Sequence, residues 1–129
     1  MSPQKPIILL IDDDTDLRET LADGLEMAGY EVVQASGLQN LLSKLPGMKI
    51  SAIIVDLMLT GDSGATLLGY IKAHPRLKSV KSIMMSGYEH GEATAKIWKA
   101  DTFLKKPISI ASLTDALRKM GIVADGAET

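Results

Sequence analysis

The run IILLIDDD at residues 7–14 joins five consecutive apolar residues directly to three aspartates. An unbroken apolar run of this length is typical of a parallel strand that is covered on both faces. The spacing then changes, because Leu17, Leu21 and Leu25 recur at helical intervals and Gly29 provides a stop signal. Residues 7–29 therefore predict a buried strand, an acidic turn and a helix.

The rest of the chain repeats this alternation of short apolar strands and helical stretches. Four more strands are predicted at 31–35, 51–55, 82–85 and 102–104, and four more helices at 38–45, 65–73, 92–99 and 110–120. Ser109 is the expected N-cap of the last helix, and Gly121 its end. Strands that are separated by helix-length connections pair in parallel through right-handed crossovers. We therefore expect an α/β fold with five parallel strands and five helices.

Length and composition are those of one domain. The chain has 129 residues, of which 46% are hydrophobic and 23% charged, and a domain of this size buries enough surface to fold without disulfides or a structural metal. We expect a leader at 1–6, a domain at 7–121 and a disordered tail at 122–129. The chain contains no cysteine, which excludes disulfides, thiolate zinc sites and a cysteine nucleophile. The apolar run at 7–11 is too short for a signal peptide or a membrane span, so we expect a cytoplasmic protein without membrane contact.

Charge is distributed unevenly along the chain. The first 65 residues carry 10 acidic and 4 basic side chains, whereas the remainder carries 6 acidic and 10 basic ones. The first half therefore suggests an acidic site. The lysines of the second half are dispersed and few aromatic residues accompany them, so we do not expect direct nucleic-acid binding.

Polar residues stand where four of the five predicted strands end. Asp12 and Asp13 follow the first strand, Asp56 the third, Ser86 the fourth and Lys106 the fifth. In an open parallel sheet, the functional crevice lies beyond the carboxyl ends of the strands, where the winding direction reverses. A flavodoxin-like, doubly wound order of 2-1-3-4-5 places the first and third strands side by side, and so brings the three carboxylates together.

Converging carboxylates of this kind favour a metal-assisted phosphoryl chemistry. Three carboxylates repel one another unless a cation is present, and oxygen ligands with few protein groups suit Mg²⁺. With the metal bound, one carboxylate can attack a phosphoryl group, whose developing charge needs cationic and hydrogen-bonding groups. Lys106 and the Ser86 hydroxyl supply these groups, and Gly87 permits close approach of the backbone.

Each of these residues also has an ordinary structural explanation. Asp12 to Asp14 can cap the first helix, Ser86 can be a cap and Asp56 a turn residue. Lys106 can be a solvated surface lysine. The coincidence of four polar strand ends favours a functional site.

The sequence resembles the receiver domain of bacterial two-component response regulators, in particular single-domain, chemotaxis-regulator-like members. The resemblance rests on four segments in the expected order: the run ending in Asp12-Asp13, Ile-Ile-Val-Asp56 with Asp62-Ser63-Gly64, Met-Met-Ser86-Gly87, and Phe103-Leu-Lys-Lys106-Pro107. These segments span most of the chain, from about residue 7 to residue 120.

The resemblance implies a role for each matching position. Asp56 would accept a phosphoryl group from the phosphohistidine of a sensor histidine kinase or a phosphotransfer protein. Mg²⁺ would be bound by Asp12, Asp13 and Asp56 together with the backbone carbonyl of Met58.

Ser86 and Lys106 would bind phosphoryl oxygens, with Ser86 and Phe103 as the switch pair and a cis peptide at Lys106-Pro107. Phe103 in a short buried strand also fits core packing equally well. The output would be an altered surface of the predicted fourth helix, fifth strand and fifth helix, read by a separate downstream protein.

The sequence departs from the family pattern near these segments. Thr60 stands where proline is usual, Lys99 where a helix-ending glycine is common, and the segment from Ser86 to Phe103 is about two residues short. The usual dimer surface cannot be assumed, and we expect a monomer or a weak homodimer. Met58 and Tyr88, two residues after Asp56 and Ser86, are expected to hinder water and prolong the phosphorylated state.

Three alternatives stay open at this point. The chain can be a receiver excised from a longer regulator, or a pseudo-receiver that binds a partner without phosphate. It can also be a Mg²⁺-dependent aspartyl-phosphate hydrolase, whose Asp-x-Asp motif Asp12 and Asp14 mimic. Against the hydrolase, Thr15 falls one place early and the chain lacks a substrate cap.

Overall fold

Five short parallel strands form the central sheet of the protein. The structure is a computed structural model that describes residues 5–37, 47, 49–59, 62–75, 77–87 and 91–124. The strands are β1 (Ile7–Ile11), β2 (Glu31–Ala35), β3 (Ile50–Asp56), β4 (Lys81–Ser86) and β5 (Thr102–Lys105). Within the described residues the helices are α1 (Thr15–Met27), α2 (Gly64–Ala73), α3 (Gly91–Ile97) and α4 (Ile110–Lys119).

The strand order is β2-β1-β3-β4-β5, and every neighbouring pair is parallel. This confirms the predicted flavodoxin-like arrangement. The winding reverses at β1, which pairs with β2 on one side and β3 on the other. Ile11 is paired with both Ala35 and Val55, so the carboxyl ends of these three strands lie level with one another.

Both faces of the sheet are buried, as the apolar strands predict. Leu9 and Ile11 of β1 belong to one core cluster with Leu68 of α2 and Ala95 of α3, which defines the α2/α3 face. Successive residues of a strand point to opposite sides. The alternate β1 residues, Ile8 and Leu10, therefore point to the other side of the sheet, where they pack with side chains of α1 and α4. We call this side the α1/α4 face, and its cluster includes Ile8, Leu10, Leu21, Leu25, Leu113 and Leu117.

The helix ends follow local sequence signals. Asp14 caps α1 by accepting a hydrogen bond from the backbone N–H of Leu17, and Ser109 caps α4 by accepting one from that of Ser112. Gly29 and Gly121 follow α1 and α4 with φ of 104° and 85°. Lys99 has φ of 62° beyond α3. It stands where a helix-ending glycine was expected, and it takes the left-handed conformation that such a position demands.

Part of the predicted tail packs against the α1/α4 face. Ile122 and Ala124 are 9% and 2% exposed, and both belong to that core cluster. The buried Tyr30 hydroxyl donates to the Ile122 carbonyl oxygen at 2.7 Å. The ordered unit therefore continues at least three residues beyond the expected end at 121.

Two local features differ from the predictions or fall outside the described residues. Residues 58–59 and 62–63 pair in a short antiparallel hairpin between β3 and α2, where no strand was predicted. The predicted helix at 38–45 lies outside the described residues, as do Thr60 and Tyr88. No helix in the part of the chain that the structure describes is both long enough and apolar enough to cross a bilayer.

Candidate functional site

Three aspartates meet at the carboxyl ends of β1 and β3. Asp12 and Asp13 directly follow β1, and Asp56 is the last residue of β3. Because β1 and β3 are adjacent and in register at Ile11 and Val55, Asp12 comes to lie beside Asp56. One carboxylate oxygen from each aspartate lies within 4.8 Å of the other two. The structure thus brings the predicted carboxylates together.

Lys106 completes this acidic pocket from β5. Its ammonium group donates to Asp56 Oδ2 at 2.7 Å and to Asp12 Oδ2 at 3.3 Å. Its backbone N–H donates to the Ser86 carbonyl oxygen at 2.9 Å, which joins the ends of β4 and β5. The following peptide bond, Lys106-Pro107, is cis, as the resemblance implied. Lys106 is therefore a site residue rather than a solvated surface lysine.

Burial and mutual repulsion shape the electrostatics of the pocket. Burial raises the pKa of Asp12, and the neighbouring Asp56 charge adds to this effect, although the Asp14 N–H and Lys106 oppose it. For Lys106, burial alone would lower the pKa, but the hydrogen bond to Asp56 and the two carboxylate charges outweigh burial and raise it. The pocket holds excess negative charge that a single lysine does not neutralise.

The three consecutive aspartates have two different structural roles. Asp14 is the N-cap of α1, accepting from the Leu17 N–H at 3.1 Å. Its own N–H donates to Asp12 Oδ1 at 2.9 Å, so the cap also orients a pocket carboxylate. The capping explanation therefore holds for Asp14, whereas Asp12 and Asp13 face Asp56.

Arg18 holds the backbone of the pocket at Asp12, and this role was not predicted from the sequence. Its Nη1 donates to the Asp12 carbonyl oxygen at 2.7 Å, and its Nε donates to Oε1 of Gln34 at 3.0 Å. Both contacts fix the backbone at the end of β1 relative to β2. An arginine one turn after a helix-capping aspartate was the available signal, but its partners become visible only in the folded chain.

Ser86 and Phe103 lie on the neighbouring strands β4 and β5. Ser86 ends β4 and is fully buried, and it is paired with Lys105 of β5. Phe103 is partly buried and packs against the core of the α2/α3 face. Met58 is paired with Ser63 in the short hairpin two residues after Asp56.

The pocket fits a divalent cation by its donor set. Clustered carboxylate oxygens are the ligands that Mg²⁺ prefers. The pKa of Asp12 is raised mainly by burial and further by the charge of Asp56, and a cation between the carboxylates would relieve this repulsion. The strand ends also place a lysine beside the same carboxylates.

The family follows from comparison with known proteins. The model of the response regulator receiver domain matches residues 8–118. The chain belongs to this family. It is a receiver domain of the kind found in two-component response regulators, which confirms the prediction made from the sequence. A receiver domain is a signalling domain, and family members interact with histidine kinases and downstream effectors.

Individual relatives agree with this membership. The phosphate regulon transcriptional regulatory protein PhoB of Pseudomonas aeruginosa is 33% identical over 120 residues, which cover 88% of this chain and 52% of PhoB. The chain spans about half the length of the first curated relatives it matches.

Solved structures of similar receivers show the same fold. The response regulator TrrA of Thermotoga maritima, in complex with Mg²⁺-BeF, has a TM-score of 0.78 and 28% identity, and the match covers 89% of this chain and 98% of TrrA. A Burkholderia pseudomallei response regulator with a phosphorylated aspartic acid, a calcium ion and citrate has a TM-score of 0.75 and 30% identity, and the match covers 91% of this chain and 72% of that one.

Proposed function

We propose that this receiver domain accepts a phosphoryl group on Asp56 in a Mg²⁺-dependent reaction. A carboxylate oxygen of Asp56 attacks the phosphorus of a phosphohistidine on a sensor kinase or phosphotransfer protein. The new P–O bond forms an acyl phosphate, while the P–N bond breaks and its electron pair returns to the departing imidazole. The observation that carries this proposal is the cluster of Asp12, Asp13 and Asp56 with Lys106 at the strand ends.

Asp56 is a better acceptor than Asp12. Asp12 is 0% exposed, and it accepts hydrogen bonds at both oxygens, from the Asp14 N–H and the Lys106 ammonium. It is thus held as a buried ligand. Asp56 is the last residue of the central strand β3, and its side chain keeps 6% exposure, so a donor at the carboxyl ends of the strands can reach it more readily than Asp12.

Each remaining pocket residue has a proposed task. Asp12, Asp13 and Asp56, with the Met58 backbone carbonyl, would hold Mg²⁺, which when bound neutralises charge on the phosphoryl oxygens. The Lys106 ammonium, 2.7 Å from Asp56, is within reach of a phosphoryl oxygen bound there. The Ser86 hydroxyl at the end of β4 would donate to another oxygen.

The domain would act by presenting an altered surface and not by turning over a metabolite. We place that surface on α3, β5 and α4, which are the fourth helix, fifth strand and fifth helix of the sequence-based count. Phosphate at Asp56 would bias an equilibrium between two surface arrangements, typically through about 1–3 kcal/mol of coupling. A downstream protein would read the difference, with Ser86 and Phe103 as the switch pair.

Locating the added phosphate tests the proposal. The protein is treated with acetyl phosphate and Mg²⁺, and intact mass and peptide mapping identify the modified residue. We expect one phosphoryl group on Asp56, none in Asp56→Asn, and normal labelling in Asp115→Asn, an exposed carboxylate of α4. Labelling of Asp56→Asn would contradict the proposal. Turnover of a phosphomonoester that requires Asp12 but not Asp56 would favour the hydrolase.

Metal binding is tested separately by stability. A ligand that binds only the folded state at about 100 times its dissociation constant adds about 2.7 kcal/mol to the free energy of unfolding. We expect Mg²⁺ to stabilise the wild type in urea titrations and to stabilise Asp12→Asn far less. Equal stabilisation of both proteins would place the metal elsewhere.

A further inference from the structure

Helix α3 begins in direct contact with the two predicted switch residues. Its first residue, Gly91, is buried. A Cβ atom built on Gly91 would lie 2.8 Å from Ser86 Cβ, 2.9 Å from Ser86 Oγ and 3.0 Å from Phe103 Cε1. Real Cβ atoms essentially never come as close as the two Ser86 distances, and the Phe103 distance is tighter than nine in ten real contacts. Only glycine therefore fits without a shift of its neighbours.

The neighbours of Gly91 have little room to move. Ser86 is 0% exposed and belongs to β4, whose preceding residues Met84 and Met85 are also 0% exposed. One turn after Gly91, Ala95 is 2% exposed and packs into the core of the α2/α3 face. A side chain at position 91 would therefore displace the Ser86 hydroxyl, the Phe103 ring or α3 itself.

The far end of α3 rests on a second glycine. A Cβ atom on Gly69 of α2 would lie 2.8 Å from Cζ3 of Trp98, which follows α3 directly. Trp98 is 41% exposed and is the only tryptophan in the sequence. Helix α3 thus packs against Ser86 and Phe103 at its start, and Trp98, directly after its end, packs against α2.

We propose that Gly91 is a positioning residue that couples the position of the phosphoryl-binding Ser86 hydroxyl to the position of α3 on the sheet. The coupling rests on the proposed function, because it assumes that Ser86 moves to meet a phosphoryl group on Asp56. When Ser86 moves, the contact with Gly91 changes, and α3 shifts its tryptophan against Gly69. By thermodynamic reciprocity, whatever holds α3 also sets the position of the Ser86 hydroxyl.

The test compares Gly91→Ala with Gly37→Ala. A Cβ on Gly37 would meet no atom of the described residues within 4 Å, so Gly37→Ala is a matched control. For each protein we measure the rate of Asp56 labelling by acetyl phosphate, the Mg²⁺ dissociation constant, the urea unfolding midpoint and Trp98 fluorescence. A displacement of Ser86 by several tenths of an ångström is expected to slow labelling in Gly91→Ala by about 10-fold or more.

Mg²⁺ binding separates positioning from general damage. The proposed metal ligands lie directly after β1, at the end of β3 and at Met58 in the short hairpin, so the dissociation constant should stay at the wild-type value in Gly91→Ala. Trp98 emission should change on phosphorylation of the wild type, and this change should be lost in Gly91→Ala. Gly37→Ala should match the wild type in all four measurements.

Two further measurements do not depend on the folding of Gly91→Ala. Gly69→Ala displaces Trp98 at the other end of α3 and should also slow labelling, by about 3-fold if part of the coupling is transmitted. In wild type, Trp98 emission should respond to acetyl phosphate with Mg²⁺, and in Asp56→Asn it should not.

The possible failures are distinguishable. If Asp56 is not labelled in the wild type, the proposed function fails and this inference fails with it. If Asp56 is labelled but Trp98 emission does not respond, the coupling alone is overturned. Normal labelling of Gly91→Ala, or weaker Mg²⁺ binding that accounts for its slower labelling, would also overturn it.

Discussion

The two faces of the sheet are built differently. On the α1/α4 face, both helices begin at side-chain caps, Asp14 and Ser109. Gly24 of α1 packs so closely on Ile110 of α4 that an added Cβ would overlap it. On the α2/α3 face, α3 begins at a glycine that packs closely on Ser86, and Lys99 follows the helix in a left-handed conformation.

This contrast indicates that the two faces have different roles, one in stability and one in switching. On the α1/α4 face, both helices begin at side-chain caps and pack closely on each other, so this face is suited to hold the aspartates at the ends of β1 and β3 in place. The α2/α3 face has the seven-residue α3, with its strained end, against the proposed switch residues. Elements that move are drawn from the less stable parts of a structure. We therefore expect stability to depend most on the first face and switching on the second.

The largest expected effect comes from a cavity in the α1/α4 face. Leu117→Ala removes a fully buried side chain of α4 and should lower the free energy of unfolding by about 2–5 kcal/mol. Labelling of Asp56, measured where the variant is folded, should keep the wild-type rate. Leu68→Ala, equally buried on α2, is the matched variant for the other face. The contrast would be broken if Leu117→Ala slowed labelling more than Leu68→Ala.

A smaller loss is expected at the edge of the same face. Tyr30→Phe deletes the hydroxyl that donates to the Ile122 carbonyl oxygen, and a buried acceptor without its donor costs about 1–3 kcal/mol. Urea unfolding monitored by circular dichroism should show this loss. Tyr70→Phe, whose side chain is 38% exposed, should change stability little. Equal effects of the two substitutions would mean that the hydrogen bond from Tyr30 to Ile122 does not stabilise the fold.

On the α2/α3 face, a stabilising substitution should exist. Lys99 has φ of 62°, a conformation that costs a residue with a side chain about 1 kcal/mol relative to glycine. Lys99→Gly should therefore raise the free energy of unfolding by about that amount. Lys96→Gly, inside α3, removes the same charge but should destabilise by about 1 kcal/mol. If both variants were destabilised, the strain at Lys99 would be refuted.

The smallest expected effect is a pH dependence of the free energy of unfolding that arises from Asp12 in the pocket. Burial and the charge of Asp56 raise the pKa of Asp12, so the folded state binds its proton more tightly than the unfolded state does. In metal-free protein, this tighter proton binding adds to the free energy of unfolding. The added stability is fully present below about pH 4 and is lost as the pH rises through the folded-state pKa of Asp12. Because the Asp14 N–H and Lys106 offset part of the shift, the effect should be modest.

Urea titrations in a chelator at several pH values test this sign. The difference in unfolding free energy between Asp12→Asn and wild type should increase as pH rises from about 4 toward neutrality. Subtracting the two proteins removes the titration of other carboxylates. A difference that shrank over this range would show that the Asp12 pKa is lowered.

Much of this organisation was predictable from the sequence. The apolar runs, with turn residues between them, predicted the strands, since a parallel strand buried on both faces needs continuous apolar residues. Parallel strands end at one edge, so the positions of Asp56 and Lys106 predicted the pocket. Ser109 and Gly121 marked the ends of α4 through local hydrogen bonding and backbone conformation.

Contacts between distant segments were not predictable in the same way. The hydrogen bond of Arg18 to the Asp12 carbonyl depends on where α1 lies over the strand end. Gly91 carries no sequence signal of its contact with Ser86, because that contact depends on how α3 packs on β4 and β5. Residues 122–124 lack helical or strand periodicity, and their burial depends on a partner at Tyr30.

The hydrogen bond between Tyr30 and Ile122 also fixes the position of residues 122–124 relative to the pocket. Tyr30 immediately precedes β2, at the amino edge of the sheet, whereas the aspartates lie at the opposite edge. The five paired residues of β1 and β2 separate these edges by about 16 Å at 3.3 Å per residue. Val123, in the same segment, is 47% exposed. A fluorescent label attached at this position would therefore lie far from an approaching phosphodonor and should leave the pocket accessible.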